Sequence, residues 1–238
     1  IRPPSRIVSP SIKVGSMIKS SFAVIASLVI SLPVYADPLL EQMHTQSKDG
    51  PVYAYEMTYA DSDMVATGRV DPSRPKGERI EILTPDKADW SAKFAAALEG
   101  MQSETDGDIW CADFAANVPE DAARLSETTS NATYAFTPVP DADADSTERA
   151  LMKKILAEVT LDKSDGAILG FHMRLPKPYK PALVARIDTF EMKIACDRAP
   201  DGRTYVQKFS MEVAGSAMMQ SFQQTVSRTI TALLHPVG

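Results

Sequence analysis

The chain has 238 residues, with 25 Lys+Arg against 31 Asp+Glu, a formal net charge of −6 and two cysteines. Residues 1–36 carry four basic and no acidic residues, so 37–238 hold 21 basic against 31 acidic, or −10. A surface of that sign argues against nucleic acid as a ligand and against direct adhesion to anionic lipid.

In chain order, Met17 opens "MIKSS", the apolar run "FAVIASLVI" and "SLPVYA", which ends on small side chains before Asp37. This predicts a secretory signal peptide over 17–36, cleaved between Ala36 and Asp37, with residues 1–16 as upstream sequence outside the mature protein. The alternative, a membrane anchor, needs roughly 20 apolar residues, and the run has only about nine. No cysteine follows it to carry a lipid anchor. Residues 37–238 have the length of one domain with its own core.

"DPLLEQMHTQ" predicts a short helix with Leu39, Leu40 and Met43 on one face. "VYAYEMTYA" alternates, placing Tyr53, Tyr55, Met57 and Tyr59 together on a half-buried strand. "MVATGRVD" and "ERIEILTP" read as the next two strands, the latter with Ile80 and Ile82 inward. "DWSAKFAAALEGMQ" changes period: Trp90, Phe94, Ala97 and Met101 form one stripe of an amphipathic helix. "DIWCADF" reads as a strand edge, and "ARLSETTSNATYAFTPV" as two short strands about a Ser/Asn turn. The acidic loop with Asp141, Asp143 and Asp145 feeds a helix, with Asp145 and Glu148 set as a capping box and Leu151, Ile155 and Leu156 as its buried face.

The last third is the most regular. "EVTL", the turn "DKSDG" and "AILGFHMRL" form paired strands, with Ala167, Leu169, Phe171, Met173 and Leu175 on one face. "LPKPYKP" leads into a long strand whose apolar phase shifts from Leu183, Ala185 and Ile187 to Phe190, Met192, Ile194 and Cys196. A one-residue slip reverses the faces, so a β-bulge is expected near Asp188–Thr189. "YVQKFSMEV" groups Tyr205, Phe209, Met211 and Val213. "MMQSFQQTVSRTITALL" fits periods of two and of four, and its Ser/Thr/Val content favours a strand. The order predicts an α+β fold with a twisted antiparallel sheet and its helices grouped on one side.

Little in the chain points to catalysis. It has no G-x-S-x-G, P-loop or G-x-G-x-x-G motif. Its two cysteines and His44, His172 and His235 lack metal-ligand spacing. A hydrolase built on His172 or His44 is the weakest reading, so no enzyme, metal or cofactor is expected. The aspartates of "DADAD" read as a solvated loop rather than a calcium site, and Asn131 begins a glycosylation sequon. Cys111 and Cys196 either pair, as an oxidising compartment permits, or stay as two buried thiols; pairing is the expectation. The stronger signal is an aromatic and Met-rich face: Tyr53, Tyr55, Met57 and Tyr59 with Phe190, Met192, Ile194, Phe209, Met211 and Val213, joined by Trp90 and Phe94. Such a face is either an ordinary packed core or the wall of an apolar ligand cavity.

Four features together resemble the LolA/LolB-like superfamily of periplasmic lipoprotein carriers. These are the export signal followed by a short helix and a tyrosine-rich strand, "ATGRVDPSRPKGERIEILTP" with Gly68, Pro75, Arg79 and Pro85, the paired strands of "LDKSDGAILGFHMRL", and the long final strands. The resemblance implies a strongly curved sheet, an open half-barrel, with about three helices packed on its concave side over a cavity for acyl chains. The expectation is a soluble, monomeric, periplasmic protein that binds an apolar small molecule or a lipidated protein. Its alternative is an envelope scaffold with a packed core and an envelope protein as partner.

Overall fold

A computed structural model describes residues 37–140 and 144–237. The upstream segment 1–16, the signal peptide over 17–36 with Ala36, and Asp141 and Asp143 lie outside the described residues.

Helix α1 (Pro38–His44) starts where Asp37 caps it, the carboxylate accepting the Leu39 amide at 3.0 Å with a proline in the first turn. It buries Leu39, Leu40 and Met43, as the spacing predicts. Strands β1 (Val52–Asp61), β2 (Val65–Val70) and β3 (Ile80–Thr84) form an antiparallel meander. Tyr53, Tyr55, Met57 and Tyr59 of β1 are all buried. Helix α2 (Ala92–Glu104) is capped by the Ser91 hydroxyl, which accepts the Phe94 amide at 3.1 Å. The cap places Trp90 before the helix, so the buried stripe is Phe94 and Leu98, with Ala97 and Met101 only half-buried.

"DIWCADF" is not a strand. Trp110 makes a single bridge to Tyr205, and Cys111–Asn117 winds as a 3-10 helix. The Asp108 carboxylate takes the Trp110 amide at 3.1 Å and a disulfide takes Cys111, so the segment has no ladder to extend. Strands β4 (Ala123–Glu127) and β5 (Asn131–Phe136) pair as expected. In α3 (Ser146–Met152), Asp145 accepts the amides of Thr147 and Glu148 at 2.6 and 2.9 Å. The helix is shorter than its sequence suggests: Ile155 is buried beyond its end, and Leu156 already belongs to the next strand.

Strands β6 (Leu156–Asp162), β7 (Ile168–Arg174), β8 (Tyr179–Ala182), β9 (Ala185–Arg198), β10 (Thr204–Ala217) and β11 (Gln220–Val237) complete the chain. In β7 the pairing skips Leu169, so the buried set is Ile168, Phe171 and Met173 rather than an unbroken alternation from Ala167. The proline-rich stretch itself supplies β8, which pairs only with the start of β9; Leu183 and Val184 are therefore a turn and not an apolar strand face. An edge strand suits Pro181, which has no amide to donate. The final segment is the 18-residue strand β11, as its composition predicts, with register shifts against β1 between Tyr53 and Tyr55 and between Glu56 and Met57.

All eleven strands share one sheet in the order β3-β2-β1-β11-β10-β9-β7-β6-β5-β4, with β8 beside β9. Every pairing is antiparallel, and the first long strand meets the last. The sheet is not closed: β3 and β4 are its edges. The expected bulge falls on Asp188, since Thr189 faces Ala214 and Ile187 faces Gly215. Gly215 makes the bulge sterically feasible, because a Cβ there would stand 2.1 Å from the Arg186 carbonyl oxygen.

Two hydrophobic clusters result. The first gathers α1, Cys111 and the inward residues of β5, β6 and β7, ending at Ile194. The second gathers β1, β2, Phe94, Leu98, Trp110, Tyr205 and Ile230.

Candidate functional site

The register defines a row of side chains across the sheet. Directly opposed partners run Ala66, Tyr59, Arg228, Phe209, Ile194, Phe171, Val159, Tyr134, Arg124. Opposed residues in antiparallel pairs point to the same face. Arg124 ends the row on the edge strand, where it binds Asp37 at 2.8 Å. Arg228, itself exposed, stands between Tyr59 and Phe209, in a row otherwise apolar or aromatic up to Arg124. Its guanidinium lies 5.0 Å from the centroid of the Phe209 ring, and it makes no hydrogen bond or ion pair among the described residues.

A cavity of about 320 Å³ opens beside it. Tyr55 and Met57 of β1, Met192 and Ile194 of β9, Val206 and Phe209 of β10, and Arg228 and Ile230 of β11 form its floor. Residues 105–109 and Phe114 line it from above the sheet. The floor draws on both clusters: Tyr55, Met57 and Ile230 belong to the second, while Ile194, Met192, Val206 and Phe209 belong to or pack on the first. The cavity is thus the seam where two cores meet without filling the gap.

The covering segment is fastened along its length. The Thr105 carbonyl accepts from Arg79 Nη1 at 2.9 Å, and the Ile109 carbonyl accepts the Val206 amide at 2.7 Å. The Trp110 ring carries the Arg203 guanidinium 3.4 Å above it, and Arg203 also donates to the carbonyls of Lys48 and Pro51 at 2.7 and 2.5 Å. Cys111 is bonded to Cys196, with Cα atoms 6.4 Å apart, inside the usual disulfide range. The Phe114 ring then packs 5.5 Å from Phe171.

The polar groups at the cavity differ in what they already bind. Asp106 accepts the Asp108 amide at 2.9 Å, and Asp108 accepts the Trp110 amide. Burial pushes the Asp108 carboxyl up, and the neighbouring Asp113 adds to the rise. Tyr55 is 8% exposed, its hydroxyl has no hydrogen-bond partner among the described residues, and burial pushes its phenol up to about 12. The carboxylates are therefore engaged, whereas the donors of Arg228 and Tyr55 are free for another molecule.

Of the sequence-derived ligand face, Tyr55, Met57, Met192, Ile194 and Phe209 line the cavity. Tyr53, Tyr59, Trp90 and Phe94 pack into or against the second cluster, with Tyr53 edge-on to Trp110 at 6.1 Å and Tyr59 5.6 Å from Phe94. Phe190 packs on the first cluster, and Met211 and Val213 sit half-buried farther along β10. Sequence reasoning missed Arg228, although it shares the alternating face of Val226 and Ile230. His172 shares a hydrogen bond with Glu191 at 3.0 Å, and Glu191 also binds Lys193 at 2.8 Å; those two contacts, Lys193 first, lower the Glu191 carboxyl. Comparison of the chain with protein-family models, with curated proteins and with solved structures finds no match in any of the three.

Proposed function

We propose that the protein is an exported, non-enzymatic carrier that holds an apolar chain in the seam cavity and sets the chain's anionic end against Arg228. In this reading the sheet curls as an open half-barrel around the cavity, in the manner of the LolA/LolB-like carriers that the sequence resembles. The lid is the 105–114 segment rather than the helices.

One observation carries the reading: a cation with unused donors interrupts an apolar row at the wall of an unfilled cavity. Arg228 is solvent-exposed, so its charge stays hydrated while its guanidinium donors remain open at the cavity wall. A ligand with a carboxylate or phosphate end uses it directly, since charged hydrogen bonds to guanidinium are the strong ones. At about 30 Å³ of liquid volume per water, 320 Å³ equals roughly ten waters. That suits a medium-length chain, or the end of a longer one, each buried methylene contributing about 0.8 kcal/mol.

Mass spectrometry of an organic extract of the natively purified protein tests this. A stoichiometric amphiphile with an anionic group is expected. An extract free of amphiphiles, with no thermal shift on adding fatty acids or lysophospholipids, would point to the packed scaffold instead.

A further inference from the structure

Two turns meet at one end of the sheet. Leu183 and Val184 connect β8 to β9, Met218 and Met219 connect β10 to β11, and the Met218 amide donates to the Val184 carbonyl at 2.8 Å. Ten large apolar side chains are exposed among the described residues, and five of them gather here. Leu183 and Met219 are each 101% exposed, Met218 78%, Val184 60% and Phe222 37%. Met218 and Met219 have φ of 50° and 67°, the two-residue turn conformation that Asn-Gly fills most easily. Methionine is a poor choice there both for backbone freedom and for exposure to water. Both departures suggest that the side chains are kept for what they touch.

The local charge reverses that of the chain. Residues 174–187 carry Arg174, Lys177, Lys180 and Arg186 and no acid, and residues 213–227 carry no charge, in a chain that is −10 after residue 36. Arg186 pairs with Asp188 at 2.5 Å and Arg174 approaches Glu158 at 4.0 Å; Lys177 and Lys180 have no ion-pair partner among the described residues.

We propose that this double turn docks on an anionic lipid bilayer. The apolar turn residues enter the boundary between headgroups and acyl chains, and the lysines behind them meet the headgroup charge. Leu183 and Met219 are wholly exposed, which suits insertion into a fluid surface better than docking into a shaped protein partner. The acidic remainder of the chain then sets the orientation, since only this end can approach such a surface.

The test is flotation of the purified protein with vesicles of phosphatidylglycerol and phosphatidylethanolamine, against vesicles of phosphatidylcholine. The protein should float with the anionic vesicles only, less so at high salt. Leu183→Ser with Met219→Ser should lower partitioning at least about tenfold, and Lys177→Glu with Lys180→Glu should do so while leaving both turns unchanged. A Val184→Trp variant should shift its emission to the blue on adding anionic vesicles. Equal flotation of wild type and variants, or none with anionic vesicles, overturns the proposal. So does flotation abolished by Arg228→Ala, which would place the lipid in the cavity, or a dimer that the serine variants disperse without any vesicle binding.

Discussion

Arg228 is exposed and makes no hydrogen bond or ion pair among the described residues, so the fold depends little on it. It sits opposite Phe209 and Tyr59 on an apolar row, with only a ring face and water for company. Arg228→Leu is therefore expected to leave the ligand-free melting temperature unchanged or raised, which differential scanning calorimetry reads directly. A fall of several degrees would mean that the arginine is structural. Phe94 is the opposite case. It is 0% exposed and touches the rings of Tyr59 and Trp90; Phe94→Ala should cost about 3–5 kcal/mol in denaturant unfolding. Asp162 ties the β6–β7 turn to β9. Its carboxylate accepts the Ser164 hydroxyl at 2.7 Å and amide at 2.9 Å and pairs with Arg198 at 2.8 Å. These contacts, Ser164 first and Arg198 after it, lower its pKa from 3.8 to about 2. A depressed carboxylate contributes stability that is complete above the unfolded pKa and lost as pH falls through the folded one. The stability gap between wild type and Asp162→Asn should accordingly be full at neutral pH and close between about pH 4 and pH 2, as pH-resolved melts would report.

At the scale of elements, the cover of the cavity has one covalent tie among its several fastenings. The Cys111–Cys196 bond closes a loop of 85 residues and joins the 3-10 helix to β9. Replacing both cysteines with serine should cost about 4–5 kcal/mol in the chain-entropy account. The cavity reading adds a local signature: amide exchange at 105–110 should accelerate more than in β5–β7. Uniform acceleration would detach the tie from the cover. Gly215→Ala should destabilise the β8–β11 end of the sheet, because its Cβ would meet the Arg186 carbonyl at 2.1 Å.

The same elements explain what could be read in advance. Period-two alternation made the strands legible, and the phase change from Ile187 to Phe190 located the bulge to within a residue. Alternation places a residue on a face but does not say how full that face is. Tyr53 and Tyr59 therefore looked no different from Tyr55, although only Tyr55 meets the cavity. The 105–114 segment carries no period at all. Its path is set by the Asp106 and Asp108 turns, the Arg203–Trp110 contact and the disulfide, each joining residues that the sequence alone does not bring together. Arg228 sits between Val226 and Ile230 on one face, but Gln220 and Gln224 interrupt the same face, so the pattern alone does not single it out.

At the largest scale, the described residues form one open sheet on which two cores lie side by side, with a gap between them that neither fills. Two features stand apart on it: an open cavity with Arg228 at its wall, and an apolar, basic double turn at the sheet's end. Under the two proposals above, the first would shelter a chain and the second would meet a lipid surface. The most direct test is calorimetric titration of the purified, delipidated protein with decanoate and with decanol, repeated on Arg228→Ala. Saturable binding of decanoate is predicted, at least about tenfold tighter than decanol, because a charged hydrogen bond contributes about 1.5–3 kcal/mol, and Arg228→Ala should remove that preference while both ligands still bind. No saturable binding of either compound, or a decanoate preference that survives the substitution, would contradict the account.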